Sequence, residues 1–431
     1  PARYFCRRGY VSVVQDIRGR GKSGGYGEYF HVYNVHEGRD GYDTVEWIAD
    51  QSWANGKVGT IGMSHGGIVQ SAMALERPPH LSAMFISESS SNPYHSGMRQ
   101  NGALELRYAG HIFLHSITSQ EAERDPHIKN EIAENMMRFR QWLGRLPWER
   151  GESPFKSIPN LEHEFFEVYQ RGDYDDFWKN RAVNWEEHYD EYADMPTYYE
   201  TGWFDSWPRA VIDNYVSLSQ IKKGPIKLIV GSWIHGGAER SYSGDAEFGQ
   251  QASIDYNGLA LRWFDRWLKG IDNGIEKERP VSIFVMGGGT GCKTVSGRLD
   301  HGGTWRTEEE WPLARSRDTP YYFHGDGKLS SSRPTVDNCH LTYDFDPLDP
   351  VPSISANVSG FNEMLPLQEG AREEFIDVWA RFRSLVTAGA SDQKESPDIF
   401  GCDPPYERLS KRSDILTFQT QPLSEDCEVT G

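Results

Sequence analysis

Positive charge is scarce in this chain of 431 residues: 45 Lys and Arg stand against 63 Asp and Glu, a formal charge of −18. Phosphate backbones are bound by a Lys/Arg surplus, so no nucleic-acid partner is expected. Long apolar runs are missing too. Nothing approaches the roughly 20 residues a membrane-crossing helix needs, and the start of the chain shows neither a basic leader nor an apolar h-region, so no membrane partner is expected. Cysteine is sparse: Cys6, Cys292, Cys339, Cys402 and Cys427 are odd in number and lack CxxC spacing, which points to neither a zinc site nor a disulfide framework. A reducing cytoplasm is the default location, and no metal or cofactor is called for. The Gly-rich "RGRGKSGG" does not match a phosphate loop, and no dinucleotide fingerprint occurs.

What is present is enough apolar residue, 37%, to build a large core, in a chain long enough to divide into two domains. Over residues 1–275 short apolar runs ("VSVVQ", "VGTIGM", "LSAMFIS", "TYYETGW", "IKLIVG") alternate with helical spacing ("GRDGYDTVEWIAD", "GIVQSAMALER", "PRAVIDNYVSLSQ", "LALRWFDRWLKG"). That alternation predicts an α/β domain with a parallel sheet. From about 95 to 195 the rhythm is broken by polar, aromatic-rich sequence of mostly helical spacing. An inserted helical cap is expected there, a separate small helical domain being the other reading. Residues 276–431 read as an all-β module, sandwich or jelly roll by texture, with a charged stretch "LQEGAREEFIDVWARFRSLV" as a helix or long loop inside it. The chain lacks an initial Met and stops just after a β-prone run, so both domains are expected to be truncated at the chain ends.

The most informative stretch is "KVGTIGMSHGGIVQ". A hydroxyl is a weak nucleophile until it is presented free of the sheet beside a base. A strand, a tight turn flanked by glycines and a helix start do the presenting, and Ser64 sits where all three meet. The helix N-terminus behind it aims N–H groups at a developing oxyanion, and the His65 backbone N–H is the expected donor. A base and an acid should then follow in loops at the C-terminal ends of later strands. Asp205 follows "YYETGWF" and His235 follows "KLIVGSWI", which supplies both in order. Taken singly, an Asp before a helix is often an N-cap and a loop His is often solvated. Glu88 in "ISESSS" is a second-choice acid, and Asp16 in "VVQDIRGRG" reads as structural.

These pieces together resemble the CocE/NonD hydrolases, a family with cocaine esterase-like enzymes, α-amino-acid ester hydrolases and S15 Xaa-Pro dipeptidyl-peptidases. The resemblance is carried by "GYVSVVQDIRGRGKSGG", "EGRDGYDTVEWIADQSWANGKVGTIGMSHGG", "GWFDSW", "GSWIHGG", "RWFDRWLKG" and "PLSEDCEVTG", in the family's order over nearly the whole chain. It implies an α/β-hydrolase fold with a helical cap, a C-terminal jelly roll, and a triad of Ser64, Asp205 and His235. It also implies that early strands and a tyrosine completing the oxyanion hole belong upstream of residue 1, and it allows a homo-oligomer. The stretch "GGGTGCKTVSGRLDHGGTWR" is longer than the family's usual connection.

The expected partner is a small ester, amide or short peptide. Trp203, Phe204, Trp207 and Trp233 adjoin the candidate catalytic residues and suit an apolar or aryl acyl group. Release of N-terminal Xaa-Pro dipeptides is the alternative. It would need carboxylates for a free α-amine, and the cap offers Glu121, Glu123, Asp173, Asp175 and Asp176. A third reading is an inert hydrolase part whose β module binds carbohydrate or protein.

Overall fold

The computed structural model describes residues 1–25, 36–105, 108–335, 340–357 and 387–430. At its centre is a six-stranded sheet whose spatial order follows the chain: β1 (Val58–Met63), β2 (Leu81–Ser87), β3 (Thr197–Phe204), β4 (Ile226–Ile234), β5 (Val281–Met286) and β6 (Gly303–Glu308). The pairs from β1 to β5 are parallel, and β6 closes the far edge antiparallel to β5.

Parallel strands need crossovers, and each predicted helix supplies one or flanks the sheet: α1 (Glu37–Ala49), α2 (His65–Glu76), α6 (Pro208–Ile221) and α7 (Tyr256–Lys269). Alternation along β2 shows why its sequence is a continuous apolar run. Met84 and Ile86 enter one core with Val45, Ile68, Leu75 and Leu228, while Ala83 and Phe85 enter the other with Tyr198, Trp263 and Phe264. A strand covered by helices on both faces has no polar side to show.

Between β2 and β3 lies the cap, with α3 (Tyr108–Ile117), α4 (Pro126–Met137) and α5 (Pro159–Gln170) and a core of its own that includes Phe113, Phe155, Phe165 and Trp178. Arg20 ties it to the catalytic half, its guanidinium donating to the His115 carbonyl at 2.9 Å and to Thr118 Oγ1 at 2.7 Å.

The helical spacing expected over residues 171–195 is not realised: no helix follows Gln170 until α6. The side chains of Asp175, Asn180 and Asn184 instead accept from the N–H two residues on, of Phe177, Ala182 and Glu186. Such local bonds compete with a helical ladder and turn the chain three times, while Trp178 and Trp185 are still buried.

"VSVVQ" is likewise not a strand. Residues 11–15 join no β-ladder among the described residues, and Val11, Val13 and Val14 stay exposed. β-propensity needs a ladder partner to become a strand. Asp16 is structural: it accepts from Lys22 N at 3.0 Å and packs so closely on Gly21 that a Cβ there would lie 2.3 Å from its Oδ2.

The first strands after residue 276 join the sheet of the α/β part. β5 and β6 are strands of the central sheet, because Val281–Ile283 continue the parallel ladder of Leu228–Val230. Beyond Glu308 the described residues form short ladders only, such as Tyr322–Phe323 with Leu329–Ser330. The charged stretch 367–386 lies outside the described residues. The long connection after β5 doubles back at Leu299–Asp300 to pair with Ala246–Glu247, which follow the His235 loop. Among the described residues no helix is long and apolar enough to cross a membrane.

Candidate active site

Four consecutive parallel strands end on one side of the sheet, and each is followed by a polar residue of interest: Ser64 after β1, Glu88 after β2, Asp205 after β3 and His235 after β4. In open α/β sheets this is the edge at which ligands bind.

Ser64 is held at φ 61 and ψ −125, a conformation L-residues rarely adopt, with its N–H bonded to the Ser87 carbonyl at 3.0 Å. Its carbonyl accepts from Gly67 and Ile68, so the serine is the hinge between strand and helix α2. Strain of this kind costs about 1–3 kcal/mol and collects at functional sites. The glycines do different jobs from those expected of a symmetric flank. A Cβ on Gly62 would lie 2.7 Å from the Gly66 carbonyl and one on Gly67 would lie 2.6 Å from Ser89 Cβ, whereas a Cβ on Gly66 would meet nothing within 4 Å. The collision that matters on the helix side is one residue later, where α2 crosses the loop after β2.

His65 is the first residue of α2, which places its N–H at the positive end of the helix. Its ring is engaged elsewhere, 3.0 Å from the carboxylate of Glu37.

Asp205 is presented by an irregularity. The β3–β4 register shifts between Gly202 and Phe204, and Asp205 N then bonds back to the Gly202 carbonyl at 3.0 Å. A bulge at a strand end re-aims the next side chain. Fully buried, Asp205 receives His235 Nδ1 at 2.6 Å on Oδ1, and Thr201 Oγ1 at 3.0 Å and Trp207 N at 3.2 Å on Oδ2. Both oxygens act as acceptors, the pattern of an ionised carboxylate. The Trp207 indole meets the imidazole edge-on at 5.2 Å, fixing the ring from its side.

Two further buried carboxyls complete the setting. Glu88, also at positive φ (47), has Oε2 3.4 Å from His235 Nδ1 and accepts Gly236 N at 2.5 Å. Burial first, then the charges of Glu200 and Asp205, push its carboxyl well above the usual range against the pull of that N–H. Glu200, inside β3, accepts from Trp233 Nε1 at 2.9 Å, and burial outweighs its hydrogen bonds to push its carboxyl up to about 8.

Glu200 therefore carries a pH signature. Its unfolded form ionises near 4.5 while the folded form keeps its proton to about 8, so unfolding releases a proton between those values. Stability contributed by this group is present below pH 4.5 and declines as pH rises toward 8. Glu200→Gln retains an acceptor for Trp233 and should flatten that decline. Urea midpoints from pH 5 to 8 that fall equally steeply in both proteins would refute the assignment.

Glu88, Asp205 and His235 each point one possible ligand atom into a space where these atoms lie within 4.8 Å of one another. Among these groups His235 Nδ1 bonds Asp205 Oδ1, and Glu88 Oε2 accepts from Gly236 N.

Of the four aromatics expected around a substrate, only Trp207, whose indole touches the His235 ring, lines the partly open cavity there. Its other walls include Ile68 of α2, Met98, Glu105, Tyr108, His111 and Val183. Trp203 packs on Trp311, Phe204 on Phe248, and Trp233 is fully buried against Trp305. None of the cap acids named from sequence lines this cavity; Asp175, for one, pairs with Arg171 at 3.1 Å. Glu105, which sequence reasoning passed over, does line it.

Residues 1–237 match the family model of the X-Pro dipeptidyl-peptidase (S15 family). The chain belongs to the S15 family. By family it is a serine hydrolase, and residues 273–431 match the C-terminal non-catalytic domain of the X-Pro dipeptidyl-peptidases. Cocaine esterase of Rhodococcus sp. (strain MB1 Bresler) is 26% identical over 450 residues, covering 99% of this chain and 67% of that protein. The solved structure of an α-amino-acid ester hydrolase has a TM-score of 0.61 at 21% identity, and that of an aminopeptidase from the marine sediment archaeon Thaumarchaeota archaeon has 0.59 at 18%. These structures share the fold. Each match covers 98% of the S15 chain but only 63% of the solved structure, so the chain spans about two thirds of its relatives' length.

Proposed function

We propose that this chain carries the catalytic centre of an acyl hydrolase that cleaves esters or amides through an acyl-enzyme on Ser64. The observation that carries the reading is the buried 2.6 Å bond between His235 Nδ1 and Asp205, set two and three strands along from a serine on a strained strand-to-helix turn. In this reading His235 takes the Ser64 proton as the hydroxyl attacks the acyl carbon, then gives it to the leaving group. Asp205 fixes the imidazole tautomer with its proton on Nδ1 and stabilises the cation formed. The His65 N–H, at the helix terminus, receives the oxyanion. Water, activated by the same histidine, releases the acyl group and restores the serine.

The substrate proposed is a small ester or amide with an apolar or aryl acyl group, because Ile68, Met98, Tyr108, Val183 and Trp207 give the adjoining cavity mostly apolar walls. Release of Xaa-Pro dipeptides is the second reading. It is favoured by the family match and by Glu105 in the cavity wall, a carboxylate able to meet an α-ammonium group. The β-prone texture of the C-terminal segment and its family match support a jelly roll for this segment.

Initial rates on a short-chain aryl ester and on an Xaa-Pro anilide, with Ser64→Ala as the blank, separate the readings. Ester turnover that vanishes in the blank and exceeds anilide release supports the acyl-esterase. Dominant anilide release moves the assignment to the dipeptidyl-peptidases. If neither substrate shows Ser64-dependent turnover, the hydrolase proposal for this chain fails and a binding role takes its place.

A further inference from the structure

Three carboxyl groups, Glu88, Glu200 and Asp205, are buried together behind His235, each 1% exposed or less. Among the described residues their hydrogen-bond and ion-pair partners include no lysine or arginine. Three such carboxyls beside one imidazole cannot all be ionised, because burial and mutual repulsion both oppose the second and third charge.

The hydrogen bonds show how the charge is divided. Asp205 accepts on both oxygens. Glu88 accepts on Oε2 alone, and its Oε1 is buried with no partner. Yet that same Oε2 lies 3.4 Å from His235 Nδ1, against 2.6 Å for Asp205 Oδ1. One imidazole N–H therefore faces two carboxyl oxygens and bonds the nearer. Glu88 comes from a different strand end and grips the residue after the histidine through Gly236, so it would stay in place if Asp205 were lost. Its backbone at φ 47 is costly for a glutamate, an expense that filling space alone does not explain.

We propose that Glu88 is a second positioning acid for His235: it anchors the histidine loop through Gly236 and takes over the Nδ1 proton bond when the Asp205 carboxylate is removed. The inference rests on the roles given above to His235 and Asp205. The ionisable groups facing Glu88 are Glu200 on β3, Asp205 after it, His235 after β4, and Tyr256 on α7, whose hydroxyl is 2.9 Å from Ser87 Oγ. With Asp205 neutralised, the repulsion it exerts on Glu88 disappears and the imidazolium becomes the nearest counter-charge. Glu88 then ionises and donation from Nδ1 shifts to it.

The test compares Asp205→Asn with Asp205→Asn/Glu88→Gln in the full chain, since Gln keeps an acceptor for Gly236 and removes only the ionisable group. The primary readout is the NMR titration of the His235 imidazole in histidine-labelled protein, assigned by its loss in His235→Gln. The single variant should hold its imidazolium proton to a pH about one unit or more above the double variant, the size of shift a carboxylate at this range produces. Where there is turnover, the single variant should gain rate with rising pH, and the double should be at least tenfold slower without that rise. Superimposable His235 titrations in the two variants overturn the proposal. If the Asn variants do not fold, the same comparison is made with Asp205→Ser and Asp205→Ser/Glu88→Gln. Because the titration needs no substrate, a chain without Ser64-dependent turnover would defeat the hydrolase reading while this inference was still decided by the imidazole.

Discussion

Ser64→Ala should lower Ser64-dependent ester turnover by about 10⁴- to 10⁶-fold, the loss seen when a nucleophile is removed from an otherwise intact triad. The same change should leave the urea midpoint almost where it was, within about 0.5 kcal/mol. The two halves of this expectation come from different features. Ser64 occupies the N-cap position of α2, but its side chain makes no capping bond, so the hydroxyl contributes nothing to the helix it begins. The fold holds the residue through its backbone instead, by the 3.0 Å bond to Ser87 and by the carbonyl shared between Gly67 and Ile68. Alanine tolerates φ 61 about as badly as serine does, so the strain is common to both proteins and cancels. A hydroxyl that serves neither cap nor core, held in a costly conformation, is best explained by what it does to a substrate. Rates on an aryl ester, paired with urea melts of both proteins, check this. A variant keeping more than about one per cent of the rate would mean that another group attacks the substrate.

The parts of this site that the sequence made legible were those governed by local rules. Strand, glycines and helix start surround Ser64 within fourteen residues, and Asp205 and His235 each follow an apolar run by one step. What escaped was decided by contacts distant in sequence. "VSVVQ" has every local mark of a strand, and only the absence of a ladder partner among the described residues leaves it unpaired. Neighbourhood in sequence does not decide which aromatics line this cavity. Trp203, Phe204 and Trp207 lie within five positions, but the pleat and the bulge at the end of β3 send the first two away from the site and leave Trp207 against His235. Glu88 and Asp205 looked like competitors for one role, whereas the structure brings both to the same imidazole nitrogen. Glu200 did leave a trace, as a single acid within the otherwise uncharged "TYYETGW", a place where burial of a carboxyl needs a reason.

The other large expected effect concerns Gly202. An added Cβ would sit 2.0 Å from the Trp233 carbonyl oxygen and 2.4 Å from its Cδ1, and the first of these is backbone that no side-chain rotation can clear. Gly231 faces the same indole, where a Cβ would meet the ring at 2.0 Å. The two glycines thus form a slot that lets the Trp233 indole lie against the face of β3 and β4, with its Nε1 on Glu200 and its carbonyl two residues before His235. Gly202→Ala should therefore destabilise by about 3 kcal/mol, at the upper end of overpacking changes. It should also slow ester turnover by about a hundredfold, because the Gly202 carbonyl anchors Asp205 N at 3.0 Å and any shift that relieves the clash moves Asp205 relative to His235. Gly172→Ala is the control: no atom lies within 4 Å of a Cβ there, and the change should stay within about 1 kcal/mol of the parent. Urea melts and ester kinetics on the three proteins give the answer. If Gly202→Ala loses stability but keeps its rate, Asp205 is positioned by Thr201 and Trp207 rather than by the bulge. If it keeps both, the β3–β4 pair has more freedom than a packed sheet allows. Loss of both places the aspartate–histidine geometry under the control of a glycine slot that touches neither residue's side chain.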